Sequence, residues 1–253
     1  MKCFHVAAVA LILTSSAVFA GRPLTIDNAD PVDASMFEFE LGAGYESDSQ
    51  CNHAEIPLGL SYGLISGVQI GVAFGGQLEE REETTGKDRE CGVGDLELST
   101  KWKFFDETER LPSQALAVAV KIPTADDSTG LGSGETDYDL TWVASKTIGE
   151  KTGIHINTGY SWIGEPAGEE VGDAVHYGLA LDYQLTESVQ WVGEVFAEKE
   201  LQGGTQTEVQ YDTGLRWSAA ESLVLDIAAG SRLCGDDAPD LTATFGLTWT
   251  FGI

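Results

Sequence analysis

Charged side chains recur at every second position through much of this chain. Glu38 and Glu40, Asp95 and Glu97, Lys101 and Lys103, and Asp137 and Asp139 form such pairs, and Lys121, Lys146, His155, Asp182, Glu194, Glu198, Asp212, Arg216, Asp226 and Arg232 keep the same rhythm. On an extended strand a period of two gathers them on one face. Enclosed inside a closed sheet, they have two chemistries open to them. They neutralise one another, because lone buried charges are costly, or they line a pore whose acidic excess disfavours anions. Lys121 ends one alternating run and Asp137 and Asp139 begin the next, so these three can meet at one mouth. Arg216 and Asp226 flank a tight turn near residue 220, which predicts a diagonal cross-strand pair.

Other chemistries fit less well. His155 with Ser161 and His176 with Asp182 are candidate acid–base partners. Residues six apart on one strand are about 20 Å apart, so neither pair hydrogen bonds directly. No Gly-x-Ser-x-Gly turn is present, and no catalytic residue is expected. Carboxylates cluster in EEREETTGKDREC, GEPAGEEVGD and CGDDAPD. Solvated loops explain them, with weak binding of calcium or magnesium as the sharper option. The glycine-rich STGLGSG lacks the Gly-Lys-Ser/Thr of a phosphate loop.

The elements that position these residues are strands. The chain ends LTATFGLTWTFGI, in which Leu, Ala, Phe, Leu, Trp, Phe and Ile alternate with Thr and Gly. Eleven earlier runs do the same, at 37–45, 54–62, 68–74, 96–104, 116–122, 138–144, 154–162, 175–183, 189–197, 209–217 and 223–229. Connections alternate between short (63–67, 147–151, 185–188, 218–222, with 106–113 somewhat longer) and long polar ones (46–53, 79–92, 124–135, 164–173, 233–239, with 200–206 modest). An even strand number, short turns at one end and long loops at the other predict an all-β, antiparallel up-and-down transmembrane barrel of twelve strands. Both termini and the short turns then face the periplasm. The last strand closes on the first, since hydrocarbon leaves no backbone group unpaired. All six tryptophans fall on the apolar parity, five of them toward the short turns, as an aromatic girdle requires. Pro57 interrupts the second run and predicts a bulge or a shortened strand.

Residues 1–20 read as a signal peptide, from Lys2, the apolar stretch to Phe19, and Val18-Phe19-Ala20 before Gly21. Residues 21–34 lie outside the strand pattern and are either a periplasmic tail or a lumen plug. Inward glycines such as Gly42, Gly178 and Gly246 either leave room or mark bends. An exported chain meets an oxidising compartment, so Cys51, Cys91 and Cys234 predict one disulfide and one odd thiol, with Cys51 joined to either of the others. No Cys/His cluster suggests a metal. With 41 acidic residues against 14 basic ones and a net charge of −27, nucleic acid is excluded as a partner.

Three stretches, GRPLTIDNADPVDASMFEFELGAGYE, GVGDLELSTKWKFFDE and KIPTADDSTGLGSGETDYDLTWVASKTIG with IHINTGYSWIG after it, resemble an outer-membrane barrel family. It is labelled as transporters, or by the meta pathway of phenol degradation. The resemblance spans most of the chain after residue 20 and is densest from Gly92 to Gly164. It implies passage of small, including aromatic, compounds, and brings no set of functional residues with it. The partners expected are the lipid bilayer with its lipopolysaccharide and a small-molecule solute. No cofactor is implied. A closed structural or surface-binding barrel with acidic outer loops is the alternative.

Overall fold

The computed structural model describes residues 21–48, 51–83, 86–126, 131–166, 171–236 and 238–252. The signal peptide expected at 1–20 lies outside them, as does Ile253. No helix forms among the described residues. The alternating runs become β1 (Met36–Ser47), β2 (Cys51–Ile65), β3 (Val68–Glu83), β4 (Gly86–Val93), β5 (Leu96–Phe105), β6 (Ser113–Ile122) and β7 (Asp137–Ile148). They continue with β8 (Thr152–Trp162), β9 (Ala174–Gln184), β10 (Val189–Glu200), β11 (Glu208–Ala220), β12 (Leu223–Cys234) and β13 (Leu241–Gly252).

All belong to one antiparallel sheet, and β1 pairs with β13 from Met36↔Gly252 to Ser47↔Leu241, so the sheet closes. β3 pairs with β5 from Val68↔Trp102 to Ala73↔Glu97, then with β4 from Gly76↔Val93 to Glu83↔Gly86. β4 and β5 are therefore two pieces of one interrupted stave, and the barrel has twelve.

Alternation sorts side chains as a lipid-facing wall requires. Ile56, Trp102 and Phe245 are 55%, 53% and 56% exposed, whereas inward Ala115, Val143 and Val192 are wholly buried. Five tryptophans are exposed on the outer face, and Trp142 is half-buried with its Nε1 donating to Gln114. Trp191 lies opposite Tyr183 and Trp249 opposite Phe39, both toward the short turns. Aromatic contacts also fasten the closure: Phe37 meets Tyr62 at 4.6 Å and Phe251 at 5.4 Å, and Trp249 meets Phe251 at 4.5 Å between ring centroids. Pairs at such distances stabilise beyond their buried area.

A charge on this outer face meets hydrocarbon. Leu179, exposed at the middle of β9 between Ile156 and Val195, is a suitable probe. Leu179→Arg is expected to cost about 2–4 kcal/mol in a folding titration into lipid vesicles. A variant folding as well as the parent would remove lipid from that face.

Three local expectations need correction. Pro57 makes neither a bulge nor a shortened strand: β2 runs unbroken, and the register from Leu41↔Leu58 to Gly44↔Glu55 does not slip. Only the pairing beside Pro57 lapses, because proline has no N–H to give. The acidic stretch 79–92 is not a loop but paired β3–β4 strand, whose register sets Glu80 opposite Arg89. Opposite charges facing across a ladder favour strand over loop, and Arg89 Nε donates to Glu80 at 2.5 Å. The connection expected over 46–53 shrinks because β1 reaches Ser47 and β2 begins at Cys51.

The cysteines differ too. No disulfide joins Cys51, Cys91 and Cys234 to one another. Cys91 is exposed opposite outward Leu78, while Cys51 has the opposite parity and its Sγ lies 3.3 Å from Glu79. Side chains on opposite faces of a sheet cannot bridge. Cys234 sits at the end of β12, with β13 and β1 between it and β2.

Candidate functional site

Residues 21–35 run inside the barrel, and their backbone hydrogen bonds are the key to the interior. An irregular segment offers N–H groups with no ladder to join, and each needs a partner when buried. The inward side chains provide them. Glu194 on β10 accepts from the amides of Thr25 and Ile26, both at 2.7 Å. Asn157 on β8 takes the Asp27 N–H at 2.8 Å and donates to its carbonyl at 2.9 Å. Ser145 on β7 accepts from Ala29 at 2.8 Å, and Gln69 on β3 from Val32 at 2.7 Å. Arg216 on β11 donates to the carbonyls of Gly21 and Arg22.

Charge and apolar contact add to this. Arg22 donates to Asp226 at 3.2 and 3.3 Å and to Thr244 at 2.9 Å. Its guanidinium lies where side chains on Gly42 and Gly246, which face each other across the β1–β13 seam, would project. Lys101 pairs with Asp27 at 2.5 Å, both groups buried, and Lys103 with Asp30 at 3.0 Å. Leu24 and Ile26 pack with Ala180, Val192 and Phe196, and Ala29 with Ala115 and Val143. The segment turns into β1 at Ser35, whose φ is 67° and whose N–H reaches the Gly63 carbonyl at 2.7 Å. A side chain at Gly63 would collide with the Asp33 carbonyl.

The remaining charges named from the sequence fall into groups. Lys121 is ion-paired with Asp137, reaches Asp95 at 3.9 Å and donates to Ser133 at 2.8 Å. Asp95 accepts from the amides of Thr124 and Ala125, folding that connection over the break between β4 and β5. Asp139 does not join Lys121; it accepts from Ser161 at 2.8 Å and Thr141 at 2.7 Å, with His176 at 3.6 Å. Glu97 is buried beside them. Glu38 and Glu40 border a recess with Lys101 and Arg216. Arg216 and Asp226 lie directly opposite rather than diagonal, and each turns to Arg22: Asp226 bonds its guanidinium and Arg216 its carbonyl. Arg232 sits at the rim, bound to Asp240 at 2.7 Å and to the carbonyls of Gly235 and Asp236. Lys146 ties down the β5–β6 connection through Glu107 at 2.8 Å.

Cross-strand neighbours supply what same-strand spacing could not. Ser145, His155 and Asp182, on β7, β8 and β9, form a hydrogen-bonded row with Ser145–His155 at 2.8 Å and His155–Asp182 at 2.7 Å. The carboxylate only accepts, so Nε2 carries the proton and Nδ1 accepts from Ser145 in the neutral ring. The row resembles a nucleophilic triad, but Ser145 is buried beneath the Ala29 amide it holds. It serves as an anchor.

Recesses lie on both faces of the segment. One of about 870 Å³, open space included, sits on the long-loop side, floored by Thr25, Ile26 and Asp27 and walled by Ala117, Ala119, Lys121, Asp137, His176 and Glu198. Two of about 780 and 680 Å³, open space again included, sit on the short-turn side, bordered by Gly21, Asn28 and Asp30 with His155, Asp182, Gln190, Lys101 and Arg216.

Solved outer-membrane channels share this architecture. An outer membrane channel of the COG4313 group from Pseudomonas putida F1 superposes with a TM-score of 0.73 at 14% identity, covering 88% of this chain and 98% of that one. The NanC porin gives 0.59 at 10% identity, over 83% and 98%. The KdgM porin gives 0.55 at 7% identity, over 84% and 99%. No curated protein matches the chain in sequence. With the model of one family matching residues 20–251, the chain belongs to the family described as "Putative MetA-pathway of phenol degradation".

Proposed function

We propose that this chain is an outer-membrane channel for small solutes, with residues 21–35 as a plug seated across its lumen. The observation that carries the reading is the pair of opposed recesses separated by a segment held largely through hydrogen bonds and ion pairs. A barrel meant only as a rigid wall would fill its interior with side chains. Here part of that space is divided rather than filled. The termini and short turns are placed in the periplasm, and the long loops and the paired β3–β4 strands at the cell surface, following the usual arrangement of such barrels. The family's description points to aromatic compounds as the first solutes to test.

Reconstitution is the test. Purified protein in planar bilayers is expected to give small unitary steps, and liposomes carrying it to admit small aromatic solutes. Neither current nor flux in folded, heat-modifiable protein would defeat the channel reading. The second reading, a closed barrel with surface-binding loops, is favoured by the depth at which Leu24, Ile26 and Ala29 are buried. It predicts no current even without the plug.

A further inference from the structure

The recess on the long-loop side has a chemical character that the plug does not use. Its inner wall is apolar, formed by Ala117, Ala119, Val143, Ile26 and Phe196. Small residues at inward positions of β6 leave the space. Five carboxylates border it, Asp27, Glu97, Asp137, Asp139 and Glu198; Lys101 neutralises Asp27 and Lys121 neutralises Asp137, which leaves the excess negative. Glu198 is only 3% exposed, and its Oε1 has no hydrogen-bond partner among the described residues. An unpartnered buried carboxylate oxygen is costly and attracts a donor that brings positive charge.

We infer that this recess binds a small organic ammonium with a compact apolar body, its charged head on Glu198 and its body against Phe196 and the alanine wall. The net negative field favours a cation over a neutral donor and repels carboxylates. The described carboxylates are not gathered into a metal-ligating group, which favours an organic cation over a bare metal ion. The inference deepens the channel reading and rests on it for its biological sense, since the recess lies on the proposed path. His176 completes the wall: its ring lies over Gly159, where a side chain would collide with it, and Thr141 holds its Nε2 at 2.9 Å.

Calorimetry on the full, detergent-solubilised protein tests binding without requiring conduction, so a silent channel would leave the result readable. Benzylamine, benzyl alcohol and benzoate present the same body with a cationic, neutral and anionic head. Benzylamine is expected to bind roughly tenfold or more tightly than benzyl alcohol, as a charged hydrogen bond implies, and benzoate not at all. Glu198→Gln is expected to lose most of that preference, while Glu107→Gln, at the other end of the barrel, keeps it. Benzoate binding as well as benzylamine, magnesium displacing benzylamine at equimolar concentration, or a Glu198→Gln protein with unchanged benzylamine affinity would each overturn the assignment. Should Glu198→Gln fail to fold, the ranking of the three probes on the parent protein decides it alone.

Discussion

Deleting residues 22–32 from the exported chain raises its unitary conductance several-fold and leaves a folded, heat-modifiable barrel. What holds the wall is separate from what fills it. Every stave is held by a backbone ladder that begins at Met36, and the β1–β13 closure involves no residue of the segment. The deletion therefore removes none of the bonds that close the sheet. It does remove the partners of Glu194, Asn157, Ser145 and Gln69, and the floor shared by the recesses on either side. Those side chains gain water as their partner, because a lumen joined end to end is wet. The measurement is paired single-channel recording of parent and deletion proteins, with liposome flux of a neutral aromatic solute alongside. An unchanged conductance in the folded deletion would show that the constriction lies in the wall or the loops. The plug reading would then fail.

Much of the wall was legible because period two is a geometric consequence of the extended backbone and survives any tertiary context. The closing strand, from Leu241 to Phe251, shows this directly: its outward Phe251, Trp249 and Leu247 meet Phe37, Phe39 and Leu41 in register. The ends of strands were less legible. Acidic residues 79–83 read as loop because composition cannot show that Glu80 would lie opposite Arg89. One reading of the interior failed, and one set of partners went unseen, for the same reason. Arg216 and Asp226 face each other as opposite charges should, yet both turn to a segment some 190 residues or more earlier in the chain. Likewise His155 finds Ser145 and Asp182 on adjacent strands, contacts that follow from register and not from spacing along one strand. A signal for the buried segment was present in the sequence. Val143, Val192 and Phe196 are large apolar residues on the inward parity, flanked by outward Trp142, Trp191 and Val195. A strand apolar on both faces needs something apolar on its inner side, and Leu24, Ile26 and Ala29 are what it receives.

Replacing Lys101 with methionine unseats the segment, and removing the charge of Asp27 as well reseats it. Lys101 and Asp27 are 4% and 5% exposed at their side chains and 2.5 Å apart, and the lysine also donates to the Asn28 carbonyl at 3.2 Å. Breaking one half of such a pair leaves a buried charge without compensation, at a cost of about 3–5 kcal/mol. That cost falls on the seated state alone, because an unseated Asp27 is hydrated. The amides of Thr25, Ile26, Asp27, Ala29 and Val32 report on seating, since each donates to a side chain of the wall. Hydrogen exchange over residues 21–35 is accordingly expected to accelerate by roughly two orders of magnitude or more in Lys101→Met, with conductance rising toward that of the deletion. In Asp27→Asn/Lys101→Met the buried charge is gone, the Asn157 contacts to the backbone of residue 27 persist, and most protection returns. If the single variant exchanged as slowly as the parent, the ion pair would contribute nothing to seating. If the double variant exchanged as fast as the single, the loss would lie in the packing of the Lys101 stem rather than in the stranded carboxylate.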